Sequence, residues 1–430
     1  MSWGNVAFPE HGTDACRCAQ APKANGDIQG HRVKDSVEPK ASGKVKCYME
    51  KLVHRRQFLV ALALAPFIGP KLFAKTDLPQ PALLGDGAAG IKEGWTMVVF
   101  PDTQNYAKYA KNQGNFERMC QWVADHREAW KIKVAMHEGD IVEQNGITVG
   151  GGQGGGDQDS TSQWTSARRA LDKIKDQLPV VMATGNHDYG PRSAENRNSQ
   201  FPKYFPLDWN RHTLPQKDGG ILIETAPNAF GVQTLENAAY EYKPPFGRPI
   251  LLVSLEWAPR KAAVDWARAV FARAKYAQHL GILLTHSFLK DNNLREGQGE
   301  NLPTEPGNPH WYGTGKGGDT HDGEDLWKAL VKDAPQIQLV FNGHVMGAHV
   351  GYRVDKATAG HDVHQMLFNA QGFGGGSYEK GNGGDGWMRL VTFEPDGQTV
   401  SVRTFSTLKL DQGKTPWWDH PRWRYTLKIR

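Results

Sequence analysis

The chain has 430 residues, 39% of them apolar, with 14 Trp, 17 Phe and 12 Tyr, enough to close a sizeable core. Its formal charge of +5 is unevenly placed: residues 1–74 carry 11 Lys/Arg against 6 Asp/Glu, and residues 75–430 carry 40 of each sign. A formally neutral body offers no general basic field to steer nucleic acid, so no nucleic-acid partner is expected.

The basic excess belongs to the N-terminal stretch. Lys51, Arg55 and Arg56 precede an apolar segment that ends near Gly69, too short to span a bilayer, which reads as a secretory signal and not as a transmembrane helix. The arrangement Arg55-Arg56-Gln57-Phe58-Leu59 resembles a twin-arginine signal. That resemblance implies export in the folded state by the twin-arginine machinery, to the periplasm or the medium. Residues 1–48 lack periodicity and read as a disordered leader or as sequence ahead of a true start at Met49, with residues 49–74 as the signal peptide and 75–94 as a linker. Cys16, Cys18 and Cys47 fall in this part, so Cys120 stands alone afterwards and no intrachain disulfide is expected. Cys120 shares a helical face with Phe116, Val123 and Arg127, the setting of a buried thiol.

From residue 95 onward, short apolar runs alternate with amphipathic ones. A first strand, Thr96–Phe100, ends in Pro101-Asp102-Thr103-Gln104, and a helix through Phe116–Trp130 follows. A second strand, Lys133–His137, leads into Glu138-Gly139-Asp140 and Glu143. The glycine-rich loop Gly150–Gly156 reads as a flexible insertion; it lacks the Gly-Lys-Ser/Thr ending of a phosphate cradle. A helix from Gln163 to Gln177 precedes the run Leu178–Thr184, which breaks at Gly185-Asn186-His187-Asp188. Residues 190–238 read as irregular, a wall over the site, and Ala239–Tyr242 with Ile250–Leu255 as a hairpin. A helix near 259–275 precedes the strand Gly281–Thr285, which ends in His286. A second polar insertion, 288–322, and a helix, Gly323–Lys332, lead to Ile337–Phe341, which ends in Asn342-Gly343-His344. Three further strands, His364–Asn369, Met388–Phe393 and Thr399–Phe405, complete an α/β pattern that turns antiparallel-rich late, in one domain spanning 95–406. In the extension 407–430, Trp417, Trp418 and Trp423 read as anchors onto the body, with carbohydrate stacking as the alternative.

Five of these strands end in groups that bind hard or borderline cations: Asp102 with Gln104, Asp140, Asn186 with His187, His286, and His344. Singly, each has a plain explanation as a turn former, a helix cap or a hydrogen-bonded core imidazole. Together they form a set of carboxylates, amide oxygens and imidazoles without a thiolate. Such a set suits two divalent ions of the Mn, Fe, Zn or Mg type. The order Asp-x-Gln, Gly-Asp, Gly-Asn-His-Asp, Thr-His, Gly-His resembles the calcineurin-like metallophosphoesterase superfamily over roughly residues 95–406. The Pro-Asp-Thr-Gln start and the stretch Asp322–Trp327 resemble a bacterial branch of it.

The resemblance implies a four-layer αββα double-sheet sandwich with two metal ions at the strand ends. Asp140 would bridge both ions, Asp102 and Gln104 would hold the first, and Asn186, His286 and His344 the second. It implies hydrolysis of a small phosphomonoester or phosphodiester substrate by a metal-bound hydroxide. His187 would be the general acid, with Glu143, or failing it Asp188, as its carboxylate partner. Two departures stand out. Gln104 occupies a place where many relatives have histidine, and Met346 stands where the pattern Gly-His-x-His has its second imidazole. A thioether is a poor ligand for a hard ion, which weakens the first position and leaves His349 and His364 as the nearest substitutes. The alternative is a non-catalytic binding protein on the same scaffold.

Overall fold

The computed structural model describes residues 83–84, 90–148 and 155–430. The leader, the signal segment, most of the linker and most of the Gly150–Gly156 loop lie outside the described residues. In chain order the elements begin with a short antiparallel pair, β1 (Leu83–Leu84) and β2 (Gly90–Ile91). Then come β3 (Trp95–Phe100), α1 (Gln104–Ala107), α2 (Ala110–His126), β4 (Ile132–His137), α3 (Ser160–Leu171), β5 (Val180–Met182) and α4 (Phe201–Tyr204). The middle holds β6 (Leu222–Pro227), β7 (Gln233–Tyr242), β8 (Ile250–Ser254), α5 (Lys261–Phe271) and β9 (Leu280–Leu284). The last part holds α6 (Gly323–Ala329), β10 (Ile337–Asn342), β11 (Val350–Lys356), β12 (Asp362–Phe368), β13 (Trp387–Phe393), β14 (Thr399–Ser406), α7 (Thr407–Asp411) and β15 (Tyr425–Lys428).

Two mixed sheets organise these strands. One has six strands in the order β15-β14-β13-β3-β4-β5, with β3, β4 and β5 parallel and the rest antiparallel. The other has seven, β11-β12-β10-β9-β8-β7-β6, parallel through β12, β10, β9 and β8 and antiparallel at both ends. The two-residue period of the strands divides their side chains between two cores. Ile250 and Leu252, Ile282 and Leu284, Leu339 and Phe341 face inward onto Met97, Val391 and Val402 of the six-stranded sheet. Their neighbours Leu251, Val253, Leu283 and Val340 face outward onto Val264, Ala267 and Phe271 of α5 and Leu326 of α6. Helices α2 and α3 cover the other sheet through Met119, Val123, Trp164 and Ala167. Four layers result, with an αββα order, as the family resemblance implies.

The helices begin where the side chains dictate. Asp159 accepts from the Ser162 N–H at 2.7 Å, and Asp322 accepts from the N–H groups of Glu324 and Asp325 at 3.1 and 3.0 Å, starting α3 and α6. Cys120 is a free, buried thiol in α2. Among the described residues no helix is long and apolar enough to cross a membrane.

Several expectations are corrected. The hairpin strand β7 begins at Gln233, six residues before Ala239, and pairs with β6 on its other side, so the 190–238 segment is not wholly irregular. The late chain is antiparallel-rich as expected, with one parallel pairing: β12 runs parallel to β10, which brings the C-terminal ends of both to the same edge. Beyond residue 406, β15 adds a strand to β14. Trp417 packs on Trp130 and Phe405, and Trp418 on Phe373, Trp387 and Trp423, so the tail is anchored to the body.

Candidate metal centre

The parallel strands of both sheets end at one edge of the sandwich, and the polar residues that follow them converge there. Asp102 lies two residues past β3, Asp140 three past β4, His286 two past β9 and His344 two past β10. Asp140, His286 and His344 each direct a ligand atom into a common space, all within 4.8 Å of one another. Glycine makes the convergence possible. A Cβ on Gly185 would lie 2.2 Å from Asp140 Oδ1, one on Gly343 2.1 Å from Asp102 Oδ1, and one on Gly139 2.7 Å from His286 Nδ1. The glycine of each motif is therefore a packing requirement of the neighbouring motif's ligand. Asp140 (φ 50°) and His344 (φ 72°) are themselves held in the left-handed region, a strain that tertiary contacts must support.

Backbone carbonyls select which imidazole nitrogen faces the centre. His286 Nδ1 donates to the Glu138 carbonyl at 2.7 Å, leaving Nε2 inward. His344 Nε2 donates to the Gly307 carbonyl at 2.7 Å, leaving Nδ1. His286 Nε2 lies 3.2 Å from Asp140 Oδ2 yet makes no aligned hydrogen bond. Asn186 donates through Nδ2 to Ser193 Oγ at 2.9 Å, and its buried Oδ1 has no partner. Gln104 Oε1 is likewise buried and unpartnered. Unmatched buried acceptors are rare enough to require an explanation, and a cation supplies one. Asp140, Asn186, His286 and His344 fit a divalent ion in number, charge and donor type.

Charge coupling runs through the same groups. Burial opposes ionisation of Asp140, but His286 and His187 overcome it and hold its carboxyl well below the usual range. Burial likewise opposes the charge on His286, yet Asp140 and Asp102 push it up to about 9. His344, buried beside His286, is pushed down to about 3. Burial raises Asp102 to about 7.

The partner expected for His187 is not the one observed. His187 Nδ1 donates to the backbone carbonyl of Glu143 at 2.7 Å. The Glu143 carboxylate instead binds Lys108 Nζ and Gln104 Nε2, each at 3.1 Å. Asp188 accepts three backbone N–H groups, from Gly185, Ile141 and Val142, at 2.7, 2.9 and 3.2 Å, and so braces two loops. A carboxylate buried among N–H donors is satisfied by them, and neither acid is left for the imidazole. His187 nonetheless sits at the centre, its own N–H donating to Asp140 Oδ1 at 2.9 Å. Burial disfavours its cation, but Asp140 and Glu143 together raise its pKa.

The donor group gathered at the centre includes neither substitute for the missing imidazole. His364 uses both nitrogens, on the Tyr352 hydroxyl and the Lys428 carbonyl, each at 2.8 Å. His349 commits Nδ1 to the Asn369 carbonyl at 2.9 Å, and Met346 is 48% exposed. Several residues around the centre escape a reading by motif. Asn369 and Gln371 donate to Asp102 Oδ2 at 2.7 and 3.2 Å. Trp257 packs against the rings of His286 and His344, and Tyr312 packs on Trp257 while bonding Ser193. Asn369 carried a usable signal: it too follows a short apolar strand at a parallel edge.

A second group, His310, Asp322 and Asp325, also gathers donors. Helix capping and the 2.8 Å bond from His310 Nε2 to Asp325 Oδ2 account for it.

The chain is 24% identical over 328 residues to the uncharacterised protein YvnB of Bacillus subtilis (strain 168), an alignment covering 75% of this chain and 20% of that one. It thus spans about a fifth of the length of that relative. A solved structure described as GAP50, the anchor in the inner membrane complex of Plasmodium, is 11% identical with a TM-score of 0.44, covering 79% of this chain and 90% of that one. Residues 96–348 match the calcineurin-like phosphoesterase family, a span that runs from β3 through the Gly343-His344 turn and contains every expected ligand of the strand-end centre; the chain belongs to that family.

Proposed function

We propose that the chain is an exported, metal-dependent hydrolase of phosphomonoesters or phosphodiesters. The observation that carries this reading is the convergence of Asp140, His286 and His344 with the unpartnered Asn186 Oδ1, beside a half-buried His187. Divalent ions bound there would polarise a phosphoryl oxygen and acidify a water. Asp140 would hold charge for both positions, and the carbonyls of Glu138 and Gly307 would keep His286 and His344 in ligand tautomers. His187 would give its Nε2 proton to the departing alkoxide, its Nδ1–H held by the Glu143 carbonyl. Export rests on the Arg55-Arg56 segment, and the periplasm or medium is the proposed location.

The test is turnover of nitrophenyl phosphate and bis-nitrophenyl phosphate with Mn²⁺ or another divalent ion. Activity that disappears in folded Asp140→Asn protein supports the reading, and a chain inert with every ion tried defeats it. One observation favours the second reading, a binding protein: the exposed Met346 leaves the Asp102 side without an imidazole. Tight metal binding without turnover of any ester would select it.

A further inference from the structure

The two halves of the centre are built from different donors. On the Asn186 side stand two imidazoles, an amide oxygen and the Asp140 carboxylate. On the Asp102 side the available donors are all oxygens: Asp102, Asp140 and the buried Gln104 Oε1. His364 is fully engaged elsewhere, His349 turns Nδ1 to a carbonyl, and Met346 faces solvent.

Amides surround Asp102 instead. Asn369 Nδ2 donates to Oδ2 at 2.7 Å and Gln371 Nε2 to the same oxygen at 3.2 Å, while the His344 N–H lies 3.2 Å from each carboxylate oxygen. Asn105 Nδ2 in turn donates to the Gln371 carbonyl and to its Oε1, both at 3.1 Å. The Gln371 N–H donates to Asn369 Oδ1 at 3.1 Å, so the two amides position each other. All three amide side chains are buried. Oδ2 is thereby saturated, and Asp102 keeps its Oδ1 lone pair for a single bond.

Resting on the metal-dependent reading above, we propose that the chain holds its divalent ions unequally. One borderline ion binds tightly at Asp140, Asn186, His286 and His344. A hard, oxygen-preferring ion of the Mg²⁺ or Mn²⁺ class binds weakly at Asp102, Gln104 and Asp140. Asn369 and Gln371 are positioning residues that aim Asp102 at this weaker ion. Oxygen-only donors favour such ions over Zn²⁺, and a neutral amide in place of an imidazole lowers the affinity.

Chelator-stripped full-length chain, titrated calorimetrically with Zn²⁺ and then with Mn²⁺, tests this. One tight Zn²⁺ step followed by a separate, weaker Mn²⁺ step is expected. In Asn369→Ala or Gln371→Ala the Mn²⁺ step should weaken about 10–100-fold, as for other residues that orient ligands, with the Zn²⁺ step unchanged. Should Asn369→Ala misfold by near-ultraviolet circular dichroism, Gln104→Ala removes a donor directly and is expected to abolish the Mn²⁺ step. Two Zn²⁺ steps of equal affinity, or an Mn²⁺ step unmoved by all the folded variants, would overturn the proposal. Hydrolysis separates the two readings: unequal steps without turnover leave this proposal standing and remove the hydrolase, whereas equal steps with turnover do the reverse.

Discussion

His187 and Glu143 are neighbours joined through a backbone carbonyl and not through a carboxylate–imidazole bond. The imidazole takes the backbone carbonyl of Glu143, which any residue at position 143 would offer, and the carboxylate serves Lys108 and Gln104. His187→Ala is therefore expected to lower kcat about 10²–10⁴-fold with metal content unchanged. Glu143→Gln, by the same geometry, keeps the carbonyl and should lower kcat much less than His187→Ala does. Steady-state kinetics on both variants checks this, and equal losses would restore the carboxylate partner. The candidate ligands were legible because each is a chemically distinctive side chain set just past an apolar strand. The partner of His187 was not legible, since a carbonyl belongs to every residue and only the fold decides which one is near. Asn369 and Gln371 were missed for a related reason: amides that orient a carboxylate look like ordinary turn residues until Asp102 is seen beside them.

At the scale of elements, the central strands could be read from composition and the edges could not. Strands β8, β9 and β10 are buried on both faces and appear as largely apolar runs. Leu252→Ala, in the middle of β8, removes a fully buried side chain between the sheets and should destabilise the fold by about 2–5 kcal/mol in urea unfolding. Strands β6 and β11 lie at the two edges of the seven-stranded sheet and carry mixed, half-exposed sequences, Leu-Ile-Glu-Thr-Ala-Pro and Val-Gly-Tyr-Arg-Val-Asp-Lys. Partnership on one side relaxes the apolar requirement, which removes the signal. Edge strand β6 is instead tied down by charge: Glu224 accepts from Arg273 at 2.6 and 2.9 Å and from Trp266 Nε1 at 2.9 Å. The Arg273 hydrogen bonds hold the Glu224 carboxyl below its ordinary value of 4.5. A depressed acid stabilises the fold above that value, and the contribution is lost as pH falls through the folded pKa. Wild type should thus lose stability relative to Glu224→Gln as the pH is taken below 4.5, a difference visible in paired urea midpoints. A wild-type advantage that grows as the pH falls below 4.5 would contradict the sign.

For the molecule as a whole, the sandwich explains why ligands from residues 102 to 344 can meet. Parallel strands in both sheets release their chain ends at one edge, and αββα stacking brings the two edges together. The order of motifs was readable along the chain, but their convergence depends on which strands pair, including the parallel placement of β12 beside β10. The tryptophan-rich tail, open to a carbohydrate-stacking reading, contributes β15 and stacks Trp418 on Trp423 at 4.1 Å. Elemental analysis of the full-length chain, run with nitrophenyl ester turnover on the same sample, tests the metal-centred hydrolase most directly. Wild type is expected to retain a tightly held divalent ion and to turn over the ester, and folded His286→Ala to lose both. Wild type that takes up no divalent ion under any loading condition, or His286→Ala that retains as much metal as wild type, would contradict it.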